Sequence, residues 1–161
     1  MRYTVITGIA LFLVVIFLLG NENKAIKCGN VNEGFMAYNW GNKDTAAHIL
    51  TAWKKDPLRV QAVKRIIYLD YFFMILYGFL FCYGLRYLAG RQTNAWLEKA
   101  MWFGFACIIF TVVVDFIQDT ATLCNVTRTN FINVQFLTRI KWGTLATGAL
   151  ILAAGLLRIM F

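Results

Sequence analysis

Proline and histidine each occur once in this chain, and charged residues make up only 15% of it. One proline leaves long stretches with no helix breaker. Several apolar runs approach the roughly 20 residues of a spanning helix, so helices rather than a β-barrel are implied. The four cysteines show no C-x-x-C and no zinc spacing. A metal centre would need more oxygen or imidazole ligands than the sequence places together, so no metal and no cofactor are expected. The lone histidine, His48, falls in an amphipathic stretch and reads as a headgroup-facing residue.

What is abundant is apolar surface. Hydrophobic residues are 60% of the 161, against roughly 45–50% in soluble domains. One domain is the natural count at this length. The net charge is +8. No nucleic-acid-binding motif accompanies it, so the basic residues read as flanks of membrane spans facing anionic headgroups. The partners expected are therefore membrane lipids and other membrane protein subunits, not nucleic acid.

In chain order, the first apolar segment covers about residues 4–20, the short end for a span, and resembles a retained signal-anchor. Residues 21–65 read as an extramembrane loop, polar and irregular at first. The loop then offers a short amphipathic helix with an apolar face of Ala46, Ile49, Leu50 and Trp53. Asp44 or Thr45 can cap that helix. Its face either lies in the headgroup layer or packs on the bundle ends. Asp56-Pro57 is a helix start, with an acid at N-cap and proline at N1. The helix it opens should run unbroken to about Leu88. Gly90 to Asn94 is a tight link, with Thr93 or Asn94 as the next cap. The third helix should end near Leu123. The fourth should start near Phe131, with small residues Gly143, Thr147, Gly148, Ala149 and Ala153 that permit close helix approach. The expected fold is an all-α integral membrane four-helix bundle over residues 1–161. Its spans are at about residues 4–20, 66–88, 100–121 and 142–161.

Four spans place both termini on one side. That side carries Arg2, Arg86, Arg91, Lys99 and Arg158, five of the 16 Lys and Arg, and the loop side carries the other eleven. Charge count alone puts the loop in the cytoplasm. The signal-anchor character of the first segment argues for the opposite, and the expected orientation is N-in and C-in with residues 21–65 outside.

Asp115 and Asp119 stand i, i+4 on the third helix, with Gln118 and Thr122 on the same face. Acids on an apolar segment are costly unless paired or hydrated. Topology brings them to the leaflet that holds Asp70 and Tyr77 of the second helix and Arg139 and Lys141 of the fourth. Asp70, Tyr77, Asp115, Gln118, Asp119, Arg139 and Lys141 are the candidate polar cluster. The first reading is structural, an accessory, scaffold or assembly protein whose polar residues hold the helices together. The alternative is a site for a lipid or other amphiphile, with Arg139 and Lys141 facing phosphate. An enzyme using the Asp70, Asp115 and Asp119 carboxylates is less favoured, because no nucleophilic serine or cysteine and no histidine stands beside them, and no catalytic residue is assigned.

Leu69-Asp70-Tyr71-Phe72-Phe73-Met74-Ile75-Leu76-Tyr77 resembles a pattern in uncharacterised bacterial four-helix membrane proteins. Those carry an Asp-x-x-Glu-Asn stretch late in the third helix. Asp115 matches it, and Gln118 and Asp119 stand where Glu-Asn would. The resemblance covers the second to fourth helices and implies a bacterial inner-membrane protein, without implying an activity.

Cys82 and Cys107 lie inside apolar runs and read as packing residues. Cys28 and Cys124 lie past the ends of apolar segments on the same side, so a Cys28–Cys124 disulfide is expected, which requires an oxidising compartment. Asn125-Val126-Thr127 is a glycosylation sequon discounted for its closeness to the membrane.

Overall fold

Asp56 starts a helix in the way its sequence predicts. In the computed structural model its side chain accepts a hydrogen bond from the Leu58 N–H at 2.9 Å, with Pro57 in the first turn. The structure describes residues 2–27, 34–128 and 131–160. Within them the chain is helical, in the order α1 (Arg2–Lys27), α2 (Phe35–Trp40), α3 (Lys43–Lys54), α4 (Pro57–Ala89), α5 (Ala95–Thr127) and α6 (Gln135–Met160). α4 runs unbroken to Ala89, and Asn94 caps α5 by accepting from the Trp96 N–H at 2.9 Å.

Among the described residues, three helices, at Pro57–Ala89, Ala95–Thr127 and Gln135–Arg158, are long and apolar enough to cross a membrane. This fits an integral membrane protein. Their outer surfaces are oily, with Phe72, Phe79, Phe103, Phe116 and Leu150 exposed. α4 and α5 have 33 residues each. At 1.5 Å per residue each is about 50 Å long, well beyond a hydrocarbon core of about 30 Å.

α4 packs on α5, α5 on α6, and α1 along α4. Close approach of α5 and α6 depends on glycine. A Cβ on Gly148 would stand 2.6 Å from Ile108 Cδ1 and 3.4 Å from the Gly104 carbonyl, whereas one on Gly143 would meet nothing within 4 Å. The small residues of α6 therefore serve α5 at Gly148 and face outward at Gly143.

The apolar core is in two layers. One unites Ile26 of α1, Tyr38 of α2, Ile49 and Trp53 of α3, Val63 and Ile67 of α4, and Val126 of α5. The other lies toward the α4–α5 turn and contains Leu85, Leu88, Met101 and Ile108. Asp70, Asp115 and Lys141 fall between them.

The differences from the sequence reading concentrate in the connections. α1 continues past Gly20 to Lys27, held by an Arg65–Glu22 ion pair at 3.0 Å and by burial of Ile26. α3 is capped by Asn42, which accepts from the Thr45 N–H at 2.8 Å, not by Asp44 or Thr45. Its apolar face packs inward on the helix ends, with Trp53 against Tyr38 at 5.0 Å between ring centroids. α5 continues through Thr127, whose hydroxyl donates to the Leu123 carbonyl at 2.8 Å. α6 begins at Gln135, where the Asn133 side chain accepts from the Gln135 N–H at 3.1 Å.

The expected Cys28–Cys124 disulfide has no support. Cys124 is a free thiol, as are Cys82 and Cys107, and Cys28 lies outside the described residues. Residues 21–27, expected to belong to the irregular loop, are helix.

Candidate functional site

Asp115 is the centre of the polar layer. It stands on α5 with its side chain fully buried, accepting from Tyr77 Oη of α4 at 2.9 Å and ion-paired to Lys141 Nζ of α6. Three helices are thus joined at one carboxylate. Asp70, about two turns before Tyr77 on α4, is 4.0 Å from the same lysine. Asp119, one turn beyond Asp115, is buried too. Carboxylate oxygens of Asp70, Asp115 and Asp119 lie within 4.8 Å of one another. Three acids therefore share one buried base.

A cavity of about 280 Å³ opens onto this layer. Its polar end is formed by Asp70, Tyr77, Asp115, Gln118 and Lys141. Its walls are apolar and aromatic: Leu19 of α1, Phe35 and Trp40 of α2, Ile66 and Phe73 of α4, and Trp142 and Leu145 of α6. Trp40 and Trp142 approach each other at 6.4 Å between ring centroids and are both exposed, so they flank the mouth. α1 lies along α4 while α6 lies along α5. The cavity occupies the cleft that this leaves between α1 and α6.

Two side chains lining the cavity carry unsatisfied acceptors. Gln118 is 1% exposed and Asn39 6%, and neither Gln118 Oε1 nor Asn39 Oδ1 has a partner among the described residues. A buried acceptor without a donor costs about 1–3 kcal/mol, so such groups call for an explanation.

α2 is held in place by a separate network. Asn125 Nδ2 donates to Tyr38 Oη at 2.8 Å and to the Ile132 carbonyl at 2.7 Å, while Asn125 Oδ1 accepts from the Ile132 N–H. Gln135 Nε2 donates to the Tyr38 carbonyl at 3.1 Å. Burial raises the Tyr38 phenol above its ordinary range, so it stays neutral. Asn125 is fully buried with its amide engaged, which closes the sequon to modification in the folded protein.

Of the seven residues expected to cluster, Asp70, Tyr77, Asp115, Gln118, Asp119 and Lys141 come together. Arg139 does not: it is exposed on the outside of α6. Residues two apart on a helix are rotated by about 200°, so Arg139 and Lys141 cannot face the same layer. Asn39, Trp40 and Phe35 were not foreseen, because α2 has six residues and no periodic signal. His48 is exposed on a surface hollow with Lys55, Asp56 and Arg59, away from the buried layer.

Comparison of the chain with protein-family models, with curated proteins and with solved structures gave no match.

Proposed function

We propose that this chain is a four-span membrane protein, with α1 completing a bundle of α4, α5 and α6, and that it binds a membrane amphiphile in the cleft between α1 and α6. The observation that carries this reading is the cavity itself: a polar floor at Asp70, Asp115, Gln118 and Lys141 and aromatic walls at Phe35, Trp40, Phe73 and Trp142. Small-ligand sites are concave and mostly apolar, with a few convergent polar groups. The membrane is a bacterial inner membrane. With Cys124 a free thiol, the argument for an oxidising compartment on the α2–α3 side is gone. The Lys/Arg excess then favours that side as cytoplasmic, in place of the N-in and C-in arrangement. Native mass spectrometry after gentle extraction tests the binding reading. Adducts of a small amphiphile on wild-type chain, lost when Leu145→Trp fills the cavity from its apolar wall, are the expected result. Bare chain under conditions that preserve other lipid complexes counts against it.

The second reading is an accessory or scaffold protein that joins other membrane subunits. It is supported by the Tyr77–Asp115–Lys141 link across three helices, which fits polar side chains acting as interhelical glue. The same mass spectra would then show a protein partner and no small adduct.

A further inference from the structure

The polar end of the cavity is an acceptor surface. Asp70, Asp115, Gln118 and Asn39 all line it, and oxygens of Gln118 and Asn39 lack donors. The one lining base, Lys141, is already ion-paired to Asp115 and lies 4.0 Å from Asp70. Arg139, the base expected to help it hold phosphate, is exposed elsewhere. Asp119 adds a third buried carboxylate directly behind. The site thus has an excess of lone pairs and a deficit of N–H donors, and three carboxyl groups this close around one base must share protons rather than all ionise.

Resting on the amphiphile-binding reading, we propose that the headgroup bound here is a primary ammonium, on a single short chain. Its three N–H donors match the acceptor set of Gln118 Oε1, Asn39 Oδ1 and Asp70, and its charge favours an ionised Asp70 beside it. A phosphate or carboxylate headgroup would set further oxygens against the same acceptors, which is repulsive and leaves Gln118 and Asn39 unsatisfied. A quaternary ammonium brings the charge without N–H groups. A divalent metal takes six or more oxygens for calcium, or a near-ideal octahedron for magnesium, and Lys141 already occupies one face of Asp115. The cavity of about 280 Å³ sits at the lower edge of small-ligand pockets, roughly 300–1,000 Å³, so a diacyl lipid does not fit inside it. The aromatic walls take the chain, and Trp40 and Trp142 flank its entry.

The test uses the full chain purified in a non-ionic detergent, titrated separately with decylamine, decanol, decanoate and decyltrimethylammonium, and read by native mass spectrometry and thermal unfolding. Decylamine should bind saturably, one per chain, at least about tenfold tighter than the other three. Gln118→Leu and, independently, Asn39→Leu should each weaken decylamine by about tenfold or more while decanol is unchanged. Two variants on different helices are used so that one misfolded protein, seen as aggregate in gel filtration, does not decide the result. Equal binding of decanol or decanoate in the cavity, insensitive to both variants, would overturn the ammonium headgroup and leave the amphiphile cavity standing. Saturable binding of none of the four would remove both readings. Tighter decyltrimethylammonium binding would replace N–H recognition by cation–π contact. Magnesium or calcium binding one per chain and displacing decylamine would assign the acids to a metal and overturn the proposal. Nanodiscs of phosphatidylethanolamine or phosphatidylglycerol separate the sources. Decylamine displaced only in the first would show a diacyl lipid's amine reaching the site from the bilayer and overturn the single short chain, and binding equal in both is the expected result and shows a single-chain amine as ligand.

Discussion

Lys141 of α6 and Asp115 of α5 form an ion pair between the two apolar layers of the molecule, with Tyr77 of α4 donating to the carboxylate's other oxygen at 2.9 Å. The Asp115 carboxylate is fully buried and Lys141 reaches the outside only through the cavity, so water compensates little for a missing partner. Losing one partner is therefore worse than losing both.

Asp115→Leu and Lys141→Met should each destabilise the protein by about 3–5 kcal/mol, while the double variant recovers most of that loss. Asp115→Asn, which keeps an acceptor for Tyr77, should cost less than Asp115→Leu. Unfolding midpoints in detergent, compared as a double-mutant cycle, measure the coupling. Strict additivity would show that the two side chains do not act as a pair.

The glycines of α6 give a contrast within one helix. Gly148→Val drives a side chain into Ile108, where a Cβ would already be at 2.6 Å, and Gly143→Val meets nothing within 4 Å. Overpacking should cost about 1–3 kcal/mol at position 148 and almost nothing at 143. Adding Ile108→Ala to Gly148→Val should recover part of the loss. A large effect at Gly143 would instead reveal a neighbour packed on the outer face of α6.

Parts of this arrangement were legible in the sequence because they are local. Asp56-Pro57 and Asn94 are caps that act within one turn, and helical spacing alone puts Asp115, Gln118 and Asp119 on one face. Chain topology then brings Asp70 and Lys141 to the same level. Pairing Arg139 with Lys141 failed for a reason that was also legible, since residues two apart point to opposite sides. The polar composition of residues 21–27 hid the end of α1. There the chain is helical because Glu22 reaches Arg65 and Asn23 accepts from the Phe35 N–H, contacts that no local pattern announces. Asn39 was invisible for the same reason: α2 is placed by Asn125 and Gln135, more than eighty residues away in sequence.

Tyr38 is the point where that distant placement can be tested. Tyr38→Phe removes the acceptor of Asn125 Nδ2 but leaves the bonds of Asn125 to Ile132 intact. It should cost about 1 kcal/mol. Asn125→Leu strands the Ile132 N–H and its carbonyl together and should cost at least twice as much. Hydrogen exchange at α2 and at residues 131–135 should rise in both variants and leave the middle of α4 unchanged. Exchange rising evenly across the chain would mean that α2 is part of the global core, not a separately held cap.

The last prediction concerns orientation. Eleven of the 16 Lys and Arg lie on the α2–α3 side of a four-span arrangement and five on the other. Cytoplasmic enrichment of Lys and Arg is the general rule for short loops near spans. The counter-argument from an external disulfide has lost its support at Cys124. Thr51 is exposed on α3, and Thr93 is exposed in the turn between α4 and α5, so cysteines placed there report the two sides. In intact spheroplasts of cells expressing Cys28→Ser chains, a membrane-impermeant maleimide should label Thr93→Cys directly and Thr51→Cys only after lysis. The three described cysteines of the parent chain, all partly buried, set the background for both. Labelling of Thr51→Cys before lysis, with Thr93→Cys protected, would mean that the signal-anchor character of residues 4–20 outweighs the charge difference and that the N-terminus is inside.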